Sequence, residues 1–475
     1  MTAPVPLGEL GHVHFAGIGG AGMSGIACIM LARGVKVSGS DAQASDMLAG
    51  LASLGADVHV GHDAAHLDGA DTLVISTAIR ADNPELAEAR RRGLRVLHRA
   101  AALASVMAGK RVVAVAGTHG KTTTTAILTT ILLTAGADPG YAIGGLLAST
   151  GLGAAWGDGD TFVAEADESD RSLLLLSPDA AIVTNVEADH LDNYADLAEI
   201  EDTFVAFTRR ITPGGLLVFC ADHPGARALA GTVAGGPLRV IGYGTAAEAD
   251  YQVSDVQPRG MGSAFTVAAR GARSAQPGQE RIELAVPGRH NVLNAAAALA
   301  AAVELGVSWA QAAAGLAAYR GAQRRLELKG EAGGVRVLDS YAHHPTELTA
   351  DLSAARDIAG QGRVIAVFQP HLYSRTRIFA AEFGAALGLA DLVFVLDVYA
   401  AREDPEPGVT GRLVADAVPG GLARYLPAAA AVPAAVADLA RPGDVVLTMG
   451  AGDVTKLGPH VVAALADLAG REGAG

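Results

Sequence analysis

Short apolar runs recur along the chain, and most of them end in glycines or in a cluster of polar residues. The run Val112–Ala116 leads into Gly117, a similar run precedes Gly17, and another ends at Asp41. Stretches suited to helices lie between these runs. Because buried parallel strands are nearly continuous in apolar residues and alternate with helices, the pattern predicts an α/β protein.

The alternation of strands and helices falls into three successive regions. We expect an N-terminal domain at 1–108, a central domain at 109–320 and a C-terminal domain at 321–475. A chain of 475 residues is long enough for about three domains with cores of their own. In the last region the predicted strands are Val335–Leu338, Val364–Phe368, Leu392–Leu396 and Val445–Thr448.

The segment Val112–Thr125, VVAVAGTHGKTTTT, places a strand, a glycine turn and a helix N-terminus in succession. Free N–H groups of such a turn and the helix dipole favour a bound anion. Lys121 would reach the terminal phosphates of a nucleotide, and the Thr122 hydroxyl would bind the accompanying magnesium. The pattern is a shorter variant of G-x-x-x-x-G-K-[ST], and we expect ATP as its ligand.

Acidic residues follow two predicted strands of the central region. The first strand, at 161–169, ends in Glu165, Asp167 and Glu168; the second, at 181–192, ends in Asn185, Glu187, Asp189, His190 and Asp192. The carboxyl ends of neighbouring parallel strands open into the same crevice. Carboxylates, with one histidine, therefore suggest a site for magnesium and ATP beside the glycine turn.

The segment at 12–27, HVHFAGIGGAGMSGIA, contains G-x-G-x-x-G between Gly17 and Gly22, and Asp41 ends the next strand. From the residues alone, three interpretations are open. The loop could bind NAD(P), with Asp41 on a ribose hydroxyl, or it could bind the diphosphate of another nucleotide. It could also be a glycine turn that only allows close packing of strand and helix.

Polar residues also cluster around a later helix and at the strand ends of the C-terminal region. In GRHNVLNAAAA at 288–298, the asparagines could read the edge of adenine, or Asn291 could merely cap the helix. The adjacent His343 and His344 lack the spacing of a zinc site. Arg375 suits a carboxylate partner, because its planar fork can bind two oxygens at once.

Composition narrows the class of partner and the compartment. The net charge of −14, without a run of lysines or arginines, argues against nucleic-acid binding. Two distant cysteines, Cys28 and Cys220, favour a reducing compartment. Neither a signal-peptide pattern nor an apolar run of membrane-spanning length is evident. We therefore expect a cytoplasmic protein that acts on small molecules, without membrane insertion.

Nine motifs in chain order carry a resemblance to a known family. They are HFAGIGGAGMSGIA, GTHGKTTT, EADESD, VTNVEADHLD, GRHNVLNA, YAHHPTE, FQPH-x-YSRT, YAAREDP and TMGAGD, between about residues 12 and 455. The chain resembles the ATP-dependent Mur ligases, and within them the members that add L-alanine to UDP-N-acetylmuramate. In those ligases the first glycine loop binds the uridine diphosphate of the substrate.

The resemblance implies a fold and an activity. The expected domains are an N-terminal Rossmann-like UDP-binding domain, a central P-loop ATPase-like domain and a C-terminal Rossmann-like domain that binds the amino acid. The expected reaction uses ATP and magnesium (or manganese) to form UDP-N-acetylmuramoyl-L-alanine through an acyl phosphate, in the peptidoglycan synthesis that supports cell-wall biogenesis, cell shape and division. A monomer or a homodimer is expected. A peptide-recycling ligase of the same family and an NAD(P)-dependent oxidoreductase are the alternatives.

The resemblance also assigns residues to roles. The ATP phosphate loop would consist of Gly117, Thr118, His119, Gly120, Lys121, Thr122 and Thr123. The rest of the nucleotide would contact His290, Asn291, Asn294, Arg325 and Asp339, and the metal would contact Thr122, Glu165 and His190. The sugar nucleotide would contact Gly17, Gly19, Gly20, Ala21, Gly22, Met23, Ser24 and Asp41. The incoming alanine would contact His343, His371 and Arg375, and the catalytic set would be Lys121, Glu165, His190, His343 and Arg375.

Four positions depart from the pattern of the family. Leu326 replaces a phenylalanine, Ser340 an aspartate, Ala342 a glycine and Leu372 an arginine. The change at Leu372 would leave Arg375 with more of the pairing of the alanine carboxylate.

Overall fold

The computed structural model describes residues 4–191, 193–270, 274–401 and 403–472, so Asp192 and Arg402 lie outside the described residues. The backbone forms two compact units. The first comprises Met1–Ser254, Val267–Glu280 and Leu293–Tyr319; the second comprises Asp255–Thr266, Arg281–Val292 and Arg320–Gly475.

The first sheet of the first unit has five parallel strands in the order β3-β2-β1-β4-β5. Its strands are β1 (Val13–Ala16), β2 (Val37–Asp41), β3 (Asp57–Val60), β4 (Thr72–Ile75) and β5 (Arg95–His98). The accompanying helices are α1 (Ala21–Ala32), α2 (Asp46–Ser53), α3 (Pro84–Arg92) and α4 (Arg99–Met107). Because β2 and β4 flank β1 on opposite sides, the glycine loop after β1 lies where an open parallel sheet binds its ligand.

A second sheet contains ten strands in the order β15-β14-β13-β12-β11-β10-β6-β9-β7-β8. The strands are β6 (Arg111–Ala116), β7 (Gly140–Ala142), β8 (Ala154–Ala155), β9 (Thr161–Glu165), β10 (Ala180–Val183), β11 (Leu216–Cys220), β12 (Arg239–Gly244), β13 (Tyr251–Arg259), β14 (Gly262–Ala269) and β15 (Gly278–Leu284). The helices are α5 (Lys121–Thr134), α6 (Leu197–Thr208), α7 (Pro224–Val233), α8 (Arg289–Glu304) and α9 (Trp309–Ala318). Strand β6 pairs in parallel with both β9 and β10, so the loops after these three strands meet at one edge.

The second unit contains a six-stranded sheet in the order β16-β17-β21-β18-β19-β20, in which β16 is antiparallel to β17. The strands are β16 (Arg325–Ala332), β17 (Val335–Ser340), β18 (Val364–Phe368), β19 (Leu392–Val395), β20 (Ala423–Tyr425) and β21 (Val445–Met449). The helices are α10 (Pro345–Ala359), α11 (Tyr373–Leu387), α12 (Gly411–Ala417), α13 (Val432–Ala437) and α14 (Leu457–Glu472).

Strand β18 shows why this sheet is apolar on both faces. Val364, Ala366 and Phe368 pack into one hydrophobic cluster, whereas Ile365 and Val367 pack into another on the opposite face. Successive side chains of a strand point to opposite faces, so a strand covered by helices on both sides needs an unbroken apolar run.

The predicted α/β class is confirmed, and each apolar run singled out in the sequence forms a strand. The sequence patterns did not indicate β13–β15. In β15, Gly278–Leu284, exposed residues alternate with less exposed ones, and the second half of β13 is mostly exposed, so polar residues hide the strand pattern in both. Within the described residues, no helix combines the length and the apolar character needed to cross a membrane.

Candidate functional site

The loop between β6 and α5 depends on two glycines. Gly117 has φ of +132° and Gly120, the N-cap of α5, has φ of +83°. A Cβ atom on Gly117 would lie 2.0 Å from Thr184 Oγ1, and one on Gly120 would lie 2.6 Å from Asn294 Oδ1. Only glycine fits both the backbone conformation and the space, so the sequence places its glycines where the turn needs them.

Residues that follow β10 form hydrogen bonds to the backbone of this turn. Asn185 Oδ1 accepts a hydrogen bond from His119 N at 2.7 Å, and Thr184 Oγ1 donates to His119 O at 2.6 Å. Thr118 N donates to Asn185 O at 3.2 Å. The backbone of the turn is therefore fixed by protein contacts, and α5 begins after Gly120, which has no side chain to cap the helix.

Lys121 lies in the first turn of α5, and its side chain folds back over the loop. Its Nζ donates to Gly117 O at 2.7 Å, to Thr118 O at 3.1 Å and to Glu168 Oε1 at 2.7 Å. Burial alone would lower the pKa of Lys121, but the neighbouring carboxylates, Glu168 first, raise it. The cation is therefore retained at the position where phosphate charge would be neutralised.

Glu168 is the residue that sequence reasoning named among the strand-end acids but did not place in the site. Its side chain is 2% exposed, and Oε2 has no hydrogen-bond partner among the described residues. Burial raises the pKa of Glu168 to about 7, although Lys121 opposes the shift. The run EADESD offered four acids, and nothing local distinguished Glu168, because its partner lies 47 residues away.

The three predicted metal ligands lie near the phosphate loop and the acidic residues that follow β9. Thr122 Oγ1 lies 3.3 Å from Glu165 Oε2, and Gly144 N donates to Glu165 Oε1 at 2.6 Å. His190 Nε2 lies 3.8 Å from Glu168 Oε1. A hydroxyl, carboxylates and one imidazole are a donor set that fits magnesium, which prefers oxygen ligands.

Helix α8 carries three of the five residues predicted to contact the rest of the nucleotide. Asn294 belongs to the first unit and lies against Gly120 of the phosphate loop. His290 and Asn291 belong to the second unit, where Asn291 Nδ2 donates to Pro287 O at 2.7 Å. His290 Nε2 lies 3.5 Å from Asp351 Oδ1, and burial lowers the pKa of His290 to about 4. His290 is therefore neutral at pH 7.

The first glycine loop, after β1, is fixed by the end of β2. Gly17, with φ of +76°, donates its N–H to Ser40 O at 2.8 Å, and Gly19 N donates to Asp41 Oδ2 at 2.9 Å. Gly20 is the N-cap of α1, which begins at Ala21, and Gly22, Met23 and Ser24 lie in its first turn. The predicted sugar-nucleotide residues therefore form one continuous structure, in which Asp41 supports the loop.

Two of the predicted alanine-binding residues lie together in the second unit. The rings of His343 and His371 are 6.1 Å apart, and His371 stacks on Tyr399. Arg375 is buried in the first turn of α11. Leu372, the N-cap of that helix, is also buried and has φ of +67°. Because a leucine replaces the arginine of the family here, this position contributes no cation.

Arg325 and Asp339, predicted to contact the nucleotide, occupy adjacent strands. Arg325 lies over the ring of Tyr341, with Nη1 3.9 Å from Glu347 Oε1. Asp339 is fully buried and accepts hydrogen bonds from the hydroxyls of Thr448 and Thr455, each at 2.7 Å. Asp339 therefore ties β17 to the segment around β21, and its contact with nucleotide stays a prediction.

Comparisons with known proteins cover nearly the whole chain. Three family models match: "Mur ligase family, catalytic domain" at residues 12–111, "Mur ligase middle domain" at 115–302, and "Mur ligase, glutamate ligase domain" at 324–452. The chain is similar to the UDP-N-acetylmuramate–L-alanine ligase of Thermobifida fusca, with 55% identity over 472 residues and 98% of each chain covered. Identity to the Nocardioides sp. enzyme of the same name is 57% over 463 residues, covering 97% of this chain and 98% of that one.

Solved structures give a consistent result. The UDP-N-acetylmuramate-alanine ligase of Thermotoga maritima superposes with a TM-score of 0.79 at 29% identity, covering 95% of this chain and 98% of that one. A murein peptide ligase from Psychrobacter arcticus superposes with a TM-score of 0.71 at 27% identity, covering 96% of this chain and 99% of that one.

Proposed function

The chain belongs to the Mur ligase family, whose models match it from residue 12 to residue 452, and on this premise we propose that it joins L-alanine to the lactyl carboxyl of UDP-N-acetylmuramate. The protein uses ATP, as its family does, and the products are UDP-N-acetylmuramoyl-L-alanine, ADP and phosphate. The assignment of UDP-N-acetylmuramate and L-alanine as substrates rests on one observation. The chain is 55% or more identical to L-alanine ligases over almost its full length. The reaction belongs to peptidoglycan synthesis.

A carboxylate is a poor acyl donor, so the reaction needs an activated intermediate. A lactyl carboxylate oxygen attacks the γ-phosphorus of ATP, the bond to ADP breaks, and an acyl phosphate forms. The alanine nitrogen then attacks the acyl carbon, and the tetrahedral intermediate expels phosphate while the amine loses a proton. Catalysis of phosphoryl transfer of this kind is mostly positioning and stabilisation of charge.

Lys121 is the residue best placed to stabilise the transferring phosphoryl group. Its ammonium group lies against the phosphate loop, mostly buried, and is held there by Glu168 and two loop carbonyls. The N–H groups at the start of α5 supply further donors in fixed positions. Thr118, His119 and Thr123 would complete the surface around the phosphates.

Magnesium, or manganese, would be held by Thr122, Glu165 and His190. The contact of 3.3 Å between Thr122 Oγ1 and Glu165 Oε2 supports this assignment. A bound divalent ion would neutralise negative charge on the phosphates. Gly144 N keeps the Glu165 carboxylate turned toward Thr122 through its hydrogen bond to Oε1.

His343, His371 and Arg375 would bind the incoming alanine in the second unit. Arg375 would bind the carboxylate of the amino acid. The ring of His343, whose Nδ1 contacts the Tyr341 carbonyl at 2.9 Å, would accept the proton that the amine loses. The partners are small molecules, the location is the cytoplasm, and the protein is a monomer or a homodimer.

Phosphate release measures the proposed reaction directly. Purified protein is assayed with ATP, magnesium and UDP-N-acetylmuramate, and with L-alanine, glycine or L-serine as acceptor. We expect release that depends on the sugar nucleotide and is fastest with L-alanine. Faster release with the tripeptide L-alanyl-γ-D-glutamyl-meso-diaminopimelate would favour the peptide-recycling alternative instead. Nicotinamide-dependent turnover would favour the oxidoreductase.

A further inference from the structure

Arg99, the first residue of α4, lies between the two glycine loops of the first unit. Its Nη2 donates to Asp167 Oδ2 at 2.5 Å and lies 3.5 Å from Asp170 Oδ2. Its side chain is about one quarter exposed. Asp167 directly precedes Glu168, the partner of Lys121, so one edge of the guanidinium is joined to the acidic segment that follows β9 and contacts the ATP loop.

The other edge of the guanidinium faces the first glycine loop. Nη1 lies 3.2 Å from the position that a Cβ atom on Gly22 would occupy. Gly22 is in the first turn of α1, the helix whose N-terminus forms that loop. Within the part of the chain that the structure describes, the ion pairs of Arg99 are those to Asp167 and Asp170, so Nη1 retains donor capacity on this side.

These two edges suit an arginine better than a lysine. A guanidinium presents donors on separate nitrogens in one rigid plane, so a single side chain can hold a carboxylate and a phosphate at once. A helix N-terminus with an arginine beside it is also a stronger anion site than either alone. The carboxylates at 167 and 170 keep the guanidinium in place, because burial would otherwise disfavour the charge.

We propose that Arg99 binds the diphosphate of the sugar nucleotide through Nη1 and, through Asp167, positions the Glu168–Lys121 pair at the ATP loop. This inference rests on the proposed function, since it takes the first loop as the sugar-nucleotide site. It adds a binding and positioning residue that links occupancy of one loop to the geometry of the other.

Calorimetric binding tests the link. UDP-N-acetylmuramate is titrated into wild type and Arg99→Lys, and a non-hydrolysable ATP analogue is titrated with and without the sugar nucleotide. We expect Arg99→Lys to bind the sugar nucleotide roughly tenfold more weakly, the loss typical of one hydrogen bond to a charged group. In the wild type, bound sugar nucleotide should change the affinity for the ATP analogue. This change in affinity should be smaller in Arg99→Lys.

Arg33, the C-cap of the helix α1 that follows the first glycine loop, provides a matched control. It lies at the C-terminal end of α1, donates to Val106 O at 3.1 Å and stacks on Trp156, remote from the glycine loop. Arg33→Lys should change sugar-nucleotide affinity by less than about twofold, as expected where no ligand contact is lost. Asp167→Asn should preserve sugar-nucleotide affinity better than Arg99→Lys while lowering kcat, because it breaks the link only on the ATP side.

Two outcomes would overturn the proposal. One is wild-type sugar-nucleotide affinity in Arg99→Lys. The other is that Arg99→Lys weakens the binding of both ligands equally and lowers Tm by as much as Arg33→Lys does. Arg99 would then only stabilise the fold through its ion pairs. A failure of the proposed function is distinguishable, because the wild type itself would then release no phosphate with UDP-N-acetylmuramate and L-alanine.

Discussion

Replacing Gly117 by alanine would introduce a side chain where the phosphate loop passes close to Thr184 and Asn185, which follow β10. The new Cβ would lie 2.0 Å from Thr184 Oγ1 and 3.1 Å from the backbone nitrogens of Thr184 and Asn185. The hydroxyl can move only by giving up its hydrogen bond to His119 O, and the backbone nitrogens cannot rotate away. We therefore expect the loop itself to shift.

Gly136→Ala measures the cost of a positive φ without a collision, and φ at Gly117, +132°, lies farther from the left-handed helical region. Gly136 follows α5 with φ of +77°, and a Cβ there would meet nothing within 4 Å. Gly136→Ala should thus lose roughly 1–2 kcal/mol, the strain of a left-handed residue. Gly117→Ala should lose roughly 1–3 kcal/mol more, the usual cost of overpacking.

Urea unfolding and calorimetric titration of the ATP analogue measure both effects. A shifted loop misdirects its N–H groups, so we expect Gly117→Ala to bind the analogue at least roughly tenfold more weakly, equivalent to about 1.4 kcal/mol. Adding Thr184→Ala should cost less in Gly117→Ala than in wild type, because it removes the closest clashing atom. Equal stability and affinity in Gly117→Ala and Gly136→Ala, or strictly additive double-variant costs, would refute the reasoning.

Three further predictions concern the charges of the ATP loop. Lys121→Ala should abolish phosphate release while leaving UDP-N-acetylmuramate affinity within about twofold by calorimetry, since it removes charge from the ATP loop alone; Lys110→Ala, whose Nζ contacts carbonyls away from the loop, should release phosphate normally. If Lys121→Ala lost both phosphate release and UDP-N-acetylmuramate binding, the assignment of the two ligands to separate loops would be contradicted. The raised pKa of Glu168, about 7, favours the protonated carboxyl in the folded state, so its stabilising effect is present below about pH 4.5 and is lost as pH rises through 7. Urea unfolding across this range should therefore show a decline of roughly 3 kcal/mol in wild type that is absent in Glu168→Gln, and parallel curves would exclude the shift. Chelation of divalent ions should stop phosphate release, and Glu165→Gln should need more magnesium to restore it; an unchanged magnesium requirement in that variant would remove Glu165 from the metal site.

The phosphate loop was predictable because its parts are contiguous. Eleven consecutive positions, 112–122, contain the strand, the turn glycines, Lys121 and Thr122. Each of these residue types is needed locally, either for the backbone conformation of the turn or for binding phosphate and metal. The parallel sheet then brings the strand-end acids to the same edge, so their general location followed from the order of strands and helices. The resemblance to the Mur ligases supplied the distinction between a sugar nucleotide and a dinucleotide at the first loop.

Contacts between distant segments were not predictable from pattern. Arg99 reaches Asp167 across 68 positions, and Asp339 meets Thr448 across 109. In the sequence, Arg99 is one basic residue at a helix start, and Asp339 is one of several acids at a strand end. Only the folded arrangement shows that Arg99 contacts Asp167 and lies close to Gly22, and that Asp339 is fully buried between two hydroxyls.

The order of strands in the second unit has a consequence for synthesis of the protein. Strand β21, Val445–Met449, lies between β17 and β18, although it is the last strand in the chain. While the ribosome is still translating the preceding residues, those two neighbours have no partner on their facing edges. This sheet can therefore close only after β21 has been translated, and until then the nascent chain exposes two apolar strand edges that a chaperone could bind.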